Sequence, residues 1–271
     1  RGLGDVYKRQ NLINKILVQS RFSFPKSLYA VHDTINFAVS NKPNALIVDF
    51  FAGSGTTLHA VNLLNAEDGG RRRCIMVTNN EVSADEAKML KDKGYQPGDA
   101  EWEKLGIAHY VTWPRTVCSI EGHDVNGNPL KGDYLGSEPL MHMADGFKAN
   151  AAFFKLSFLD STAVSLGMRF SEMLPTLWLK AGAKGKCPEL SSEQIPDMLI
   201  LPENKFAVLI NENAFASFAE KLAEHPEVQT VFLATDYEVN YQSMVKNLNV
   251  TEAYQLYRDY LDHFRLNRGR N

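Results

Sequence analysis

Asp49, Gly53, Gly55, Thr56 and Thr57 stand within nine residues, in the stretch DFFAGSGTT from 49 to 57. Each residue type has a distinct use beside a small ligand. An aspartate that ends an apolar segment can pair with an ammonium group. Gly53 and Gly55 let the backbone pass close to a ligand, because neither carries a Cβ and both tolerate φ above zero. The two threonine hydroxyls are suited to capping a helix that starts there. Ala52 and Ser54 are small, and Phe51 is an apolar neighbour, either core or ligand wall. The spacing also excludes ligands. A P-loop, GxxxxGK[ST], neutralises phosphate through its lysine, and AGSGTTLH has no lysine in reach. A dinucleotide fingerprint, GxGxxG, needs a third glycine where this chain has Leu58. A ligand with a cationic amino-acid end and an adenosine end fits better than a pyrophosphate.

The elements that must hold this stretch are readable on both sides of it. ALIVDFF predicts a fully buried strand, too short for a helix and rich in branched residues. The helix that follows covers about 57 to 66 and stops before Gly69 and Gly70. Cys74 to Thr78 predicts the next strand, giving a right-handed βαβ unit with parallel strands. Upstream, Leu28, Val31, Ile35 and Val39 lie at helical spacing shortly after Pro25. Downstream, Ser83 and Glu86 form a capping box for a helix that Gly94 should stop. From 95 to 150 the chain is turn-rich, with a hairpin signal at Asn126-Gly127. After a transition near 145 to 150 the α/β pattern returns. AAFFKLSFL, FAVLI and TVFLAT read as strands. AVSLGMRFSEMLPTLWLKAG (kinked at Pro175), NAFASFAEKLAEH and NYQSMVKNL read as helices. Tyr254, Tyr257, Leu261 and Phe264 form one helical stripe. The fold class is α/β throughout, with one domain over 11–147 and a second α/β domain over 148–271.

The totals agree with two modest cores in 271 residues. A net charge of −3 makes no overall electrostatic case for nucleic acid. Cys74, Cys118 and Cys187 form neither a disulfide framework nor a CxxC pair, so a reducing cytoplasm is the expected compartment. No apolar run approaches the ~18 residues of a membrane span, and no signal peptide is visible. The chain starts RGLGDVYKRQ without methionine, a decapeptide that resembles translated sequencing adapter. Residues 1–10 are therefore expected to be a non-native leader, and the rest a C-terminal piece of a longer protein.

DFFAGSGTT resembles the [DN]PFxGSGTT motif of the DNA methyltransferases that modify exocyclic amines, forming N6-methyladenine or N4-methylcytosine. Phe50 stands where that family has proline. FSFPKSLYAVHDTINFAV is similar to the family's Pro-Lys segment and helix, which close over the methionine end of S-adenosylmethionine. CIMVTNNE resembles the second strand, whose end holds the ribose; Asn79, Asn80 and Glu81 stand where the family has an acid. The resemblance covers about residues 20 to 90. It implies a Rossmann-like methyltransferase domain, present here as its C-terminal part, with S-adenosyl-L-methionine as cofactor. The implied cofactor residues are Phe22, Pro25, Lys26, Asp49, Phe51, Ala52, Gly53, Ser54, Gly55, Thr56 and Glu81. Double-stranded DNA is the implied partner of the intact protein, with adenine N6 the preferred target and a homodimer or restriction subunit as assembly. YVTWPRT and the chain beyond it resemble type III modification subunits more loosely, and 148–271 is then an accessory domain for target recognition or assembly.

That family works through a [DNS]PP[YFW] loop, whose polar groups accept hydrogen bonds from the target amine and whose aromatic stacks on the flipped base. No such tetrapeptide occurs here; TWPRT, RFSFPKS and MLPTLW place proline near aromatics without tandem prolines. No catalytic residue is therefore assigned, and the expectation is a cofactor half-site without turnover. The alternatives are a non-catalytic DNA-specificity or assembly module with a vestigial half-site, and an oxidoreductase, which Leu58 disfavours. Simpler roles compete for single residues: a solvated helix start for Lys26, a surface charge for Glu81, a solvated strand start for Arg71–Arg73. Trp113, Pro114 and Arg115 read as a packed strand end ahead of a base-stacking group. The histidines show no metal-ligand spacing.

Overall fold

A computed structural model describes residues 12–18, 25–137, 140–156, 170–190 and 195–256. The chain divides into two compact units between Lys155 and Leu156. Both are mixed α/β.

The first unit is built on a parallel βαβ. Helix α1 (Leu28–Val39) starts at Ser27, whose Oγ accepts from the Ala30 N–H at 3.4 Å. Strands β1 (Leu46–Asp49) and β2 (Arg73–Met76) pair in parallel, Leu46 beside Arg73 through Asp49 beside Met76. Helix α2 (Thr56–Asp68) crosses between them and ends at Gly69, in the left-handed region at φ 70°. Leu28 of α1 and Ala60 and Leu63 of α2 share a buried cluster with Val111, Cys118 and Tyr134. The expectation of a fully buried β1 is corrected. Parallel pairing puts Leu46 and Val48 on the face that carries Arg73 and Ile75, and Leu46, Val48 and Ile75 are all exposed. Helix α2 packs on β2, and among the described residues nothing covers the exposed face.

The expected solvated run Arg71–Arg73 is corrected at its middle residue. Arg72 turns inward with a fully buried side chain and pairs with Asp68 at 2.8 Å. Its Nη2 also donates to the Val39 carbonyl at 3.1 Å, tying the end of α1 to the end of α2. Asn65 brackets the Arg72 backbone, accepting its N–H at 3.0 Å and donating to its carbonyl at 2.9 Å. The Arg72 hydrogen bond holds the Asp68 carboxyl below its usual range.

Ser83 accepts from the Glu86 N–H and opens α3 (Ala84–Asp92), with Gly94 left-handed just beyond its end. A π-helical turn, Ala108–Thr112, then runs straight into α4 (Trp113–Glu121). Trp113 thus opens a helix and does not end a strand. Pro114 has no N–H for a continuing helix, and it sits where the π-helical turn passes into α4. The hairpin signal holds: an isolated bridge joins His123 to Pro129 around Gly127 at φ 80°.

The second unit is a four-stranded sheet in the order β3 (Met198–Leu201), β4 (Phe206–Leu209), β5 (Thr230–Leu233), β6 (Glu252–Gln255). Strands β4, β5 and β6 are parallel, and β3 is antiparallel to β4. Helix α5 (Phe170–Lys180) packs with Phe206, Val208 and Phe232 on one face. Helices α6 (Phe215–Ala223) and α7 (Glu238–Lys246) join Ala207, Leu209, Val231 and Leu233 on the other. Three expectations change here. Residues 151–156 form no strand, and 157–159 lie outside the described residues. Strand β3 is additional. Tyr254 lies in β6, stacked on Phe232 with centroids 5.5 Å apart, because the segment after α7 completes a second βαβ crossover. Tyr257, Leu261 and Phe264 lie outside the described residues, as does the early part of the helix read around Pro175. No described helix is long and apolar enough to cross a membrane.

Arg72→Met should lower the stability of the chain by about 2–3 kcal/mol, because Asp68 and two carbonyls lose a buried charged donor. Urea unfolding measures this, with Arg73→Met on the exposed strand face as the near-neutral control. Equal midpoints for the two variants would show that the inward guanidinium contributes nothing.

Candidate functional site

The carboxylate of Asp49, at the end of β1, organises the stretch that follows. Its Oδ1 accepts from the Phe51 N–H at 3.0 Å and its Oδ2 from the Thr57 hydroxyl at 2.6 Å. One carboxylate thus ties the strand end to the first turn of α2. Each oxygen keeps a second lone pair for another donor. The turn is closed by the Ala52 N–H donating to the Val77 carbonyl and the Gly55 N–H donating to the Ala52 carbonyl. Gly53 and Gly55 take φ of 50° and 74°, where a side chain is disfavoured. A Cβ on Gly55 would sit 3.1 Å from the Thr112 methyl. The missing side chain at 55 therefore makes room for Thr112 of the π-helical turn.

The turn is held from below by residues some sixty positions later in the chain. Thr112 donates through its hydroxyl to the Gly53 carbonyl at 2.5 Å. Arg115 Nη1 donates to the Ser54 carbonyl at 3.2 Å, the Ser54 hydroxyl at 3.1 Å and the Thr56 hydroxyl at 2.7 Å. Arg115 is 2% exposed, its Nε has no partner, and no carboxylate pairs with it among the described residues. Burial pulls its pKa down to about 10, so it remains cationic at neutral pH.

Other titratable groups nearby are neutral. His59, on the next turn of α2, shares a 2.9 Å hydrogen bond with the Tyr134 hydroxyl and leaves Nδ1 unpartnered. Burial first, and the charge of Arg115 second, hold its pKa well below the usual histidine range. The Cys74 thiol on β2 is pushed up to about 12 by burial and then by the negative charge of Asp49. On the loop after β2, Asn80 donates to the Glu103 carbonyl and carboxylate, both at 2.8 Å, and accepts from the Ala108 N–H at 3.0 Å. Asn80 therefore fixes the π-helical turn that carries Thr112.

Asp49, Ala52, Gly53, Ser54, Gly55 and Thr56 come together in the turn. The Ser54 and Thr56 hydroxyls point inward to Arg115 and Thr57 binds Asp49, so none of them caps α2, contrary to the capping expectation. Phe51 is 91% exposed and Phe50 67%, which overturns the core reading of Phe51. Pro25 is buried at the start of α1, and Lys26 is exposed, with no hydrogen bond or ion pair to the turn. Phe22 lies outside the described residues. The side chain of Glu81 is exposed, and its carbonyl accepts from the Ile107 N–H. Trp113 packs against Phe153, with ring centroids 5.5 Å apart. Thr112 carries no role in the sequence analysis, Thr57 is expected there only as a cap, and Arg115 only beside Trp113. The signal that joins Thr112 to Arg115 is their spacing of three on one helix face. A groove of about 490 Å³ elsewhere on this unit, lined by Lys15, Tyr29, Asp133 and Leu135 among others, contains no turn residue. Among the described residues no group of three or more His, Cys, Asp or Glu is placed to hold a metal.

A parallel strand ending in a carboxylate, two left-handed glycines and an uncapped helix N-terminus make a βα turn suited to holding a ligand. Comparison with known proteins narrows the class. Over 70 residues the chain is 49% identical to the type II methyltransferase M.KpnI of Klebsiella pneumoniae, which is 26% of this chain and 16% of that protein. It is 38% identical over 78 residues to the StyLTI Mod subunit, from a type III restriction-modification enzyme of Salmonella typhimurium, covering 29% of this chain and 12% of that protein. It is 37% identical over 70 residues to the Mod subunit of the type III enzyme EcoPI of Escherichia phage P1, covering 26% of this chain and 10% of that protein. The homologues are thus type II and type III restriction-modification methyltransferases, and the chain spans 10–16% of their lengths. No protein-family profile matches the chain.

The buried neutral His59 has a pH signature. Its folded pKa lies below the unfolded value near 6.5, so its contribution to stability is complete above that pH and is lost as pH falls below it. Between pH 6.5 and 5 wild type should lose stability faster than His59→Phe, by at most about 1.4 kcal/mol per pH unit for one proton. His123 and His142, whose pKa values are raised by hydrogen bonds to a backbone carbonyl and to Asp133, act in the opposite direction but cancel in this difference. Parallel curves from urea unfolding across this range would refute a neutral buried imidazole.

Proposed function

We propose that the first unit is the S-adenosylmethionine-binding part of a Rossmann-like DNA methyltransferase domain. The intact protein then transfers a methyl group to an exocyclic amine of double-stranded DNA, with adenine N6 the preferred target. The observation that carries this reading is the β1–turn–α2 arrangement, with Asp49 at its start and left-handed glycines at 53 and 55. Homology to type II and type III modification enzymes supports the same reading.

The residues present fit such a ligand. Asp49 keeps lone pairs for an ammonium group, and the uncapped N-terminus of α2 offers N–H groups to a carboxylate. The exposed rings of Phe50 and Phe51 beside the turn offer an apolar wall for adenine. No lysine stands in the turn to neutralise a triphosphate. When bound, S-adenosylmethionine supplies a methyl group already activated by its sulfonium. What the chain contributes is binding and orientation. Asp49 holds the amino group, the Gly53–Gly55 backbone and α2 hold the carboxylate side, and the loop at Glu81 holds the ribose. Phe22, Pro25 and Lys26 belong to the segment that closes over the amino-acid end.

The 271 residues contain no [DNS]PP[YFW] loop, so base handling falls to another part of the intact enzyme, and this chain binds cofactor without turnover. On this reading the unit after Lys155 serves target recognition or assembly, with a second copy or a restriction subunit as partner in the cytoplasm. The missing loop equally favours a second reading, a non-catalytic DNA-specificity module with a vestigial half-site.

Titration calorimetry separates the readings. The chain should bind S-adenosylhomocysteine and not NAD, and Asp49→Ala should weaken binding about 10- to 100-fold, the range for a charge-assisted hydrogen bond. The same substitution should barely change binding of a des-amino analogue. Equal losses for both ligands would remove the ammonium contact. A DNA mobility shift by a chain with no cofactor affinity would favour the specificity module.

A further inference from the structure

Three hydroxyl residues, Ser54, Thr56 and Thr57, stand at the N-terminus of α2, yet the helix has no side-chain cap. The reason is visible in their partners. Thr57 donates to Asp49, and Ser54 and Thr56 accept from Arg115. Helix N-termini leave four N–H groups without intrahelical acceptors, and Ser and Thr normally satisfy one of them. Here the natural caps are drawn inward, and the first N–H groups of the helix are left without a side-chain acceptor.

The group that draws two of them inward is itself unbalanced. Arg115 is 2% exposed, and every partner it has among the described residues is a neutral oxygen of the turn. Its Nε has no partner. The groups next to it, His59 and Tyr134, are uncharged, because burial lowers one pKa and raises the other. A buried guanidinium normally has a carboxylate beside it, since neutral hydrogen bonds offset only part of its desolvation. This cation has none among the described residues, and it lies directly beneath the uncapped helix end.

We infer that Arg115 is the positioning residue of the turn, and that its uncompensated charge, with the N-terminus of α2, selects a ligand end that carries a carboxylate. Asp49 on one side and Arg115 on the other give the turn opposite charges, which match a zwitterionic amino-acid end. The inference rests on the S-adenosylmethionine reading and adds a residue to it. Arg115 acts through Ser54 and Thr56 and through its field.

The test compares two ligands on wild type, Arg115→Met and Arg115→Lys. S-adenosylhomocysteine carries the amino-acid end, and 5′-methylthioadenosine lacks it. Calorimetry should show Arg115→Met binding the first at least about 30-fold more weakly, with the second changed less than about threefold. Arg115→Lys keeps the cation and should recover part of the loss, within about tenfold of wild type. If Arg115→Met does not fold, Arg115→Lys carries the test, with a loss confined to S-adenosylhomocysteine. Unchanged affinity for S-adenosylhomocysteine, or equal losses for both ligands with no rescue by lysine, overturns the inference and leaves Arg115 a structural clamp. Wild type that binds neither ligand overturns the cofactor reading, and this inference with it.

Discussion

The glycine turn of the first unit depends on the buried Arg115. Removing a guanidinium from water costs several kcal/mol even after relaxation, and among the described residues three hydrogen bonds to Ser54 and Thr56 offset this. The turn conformation and the position of Arg115 are therefore conditions of one another. The dependence extends outward. Arg115 is aimed by α4, α4 continues the π-helical turn 108–112, and that turn is fixed by Asn80 from the loop after β2. Three segments remote in sequence, around 49–57, 80 and 107–115, close into one circuit. The π-helical turn sits where Thr112 must reach the Gly53 carbonyl.

The circuit decides what the turn offers to solvent. Asp49 and Arg115 take the hydroxyls that would otherwise satisfy the helix end, and Thr112 takes the Gly53 carbonyl. The backbone N–H groups at the start of α2, the spare lone pairs of Asp49 and the two exposed phenylalanine rings are left for a ligand. The thiol of Cys74 and the imidazole of His59 are held uncharged by burial, so neither competes as a nucleophile or an acid at neutral pH. The proposed function asks only holding and orienting of these groups.

Much of this was legible in the sequence, for local reasons. Glycine spacing, the apolar run ahead of it and the Gly69 stop set β1, the turn and α2, because each signal acts within a few residues of its effect. The capping box at Ser83 and Glu86 was readable on the same ground. Other features were hidden because they depend on tertiary partners. DFFAGSGTT does not say that its hydroxyls turn inward, since the group that turns them is Arg115. Trp113, Pro114 and Arg115 read as a strand end, because the π-helical turn that leads into their helix is fixed by Asn80 from a distant loop. Tyr254 sits at helical spacing with Tyr257 but is claimed by a sheet, because the second βαβ crossover supplies a strand partner that periodicity cannot see. Burial of β1 was overestimated for a related reason: an apolar strand implies cover on both faces, and the described chain supplies it on one.

The division of the chain separates two questions. Every residue of the circuit precedes Lys155, so the physics that shapes the turn belongs to one unit. The second unit has its own three layers, with β4 and β5 buried between α5 and the pair α6 and α7. An antiparallel β3 on the outer side of β4 gives that sheet a different edge from a purely parallel one. Its core shares no residue with the cluster beneath the glycine turn. On the proposed reading, the affinity of the turn for a small ligand is set by Asp49, Arg115 and the N-terminus of α2, and all three lie in the first unit.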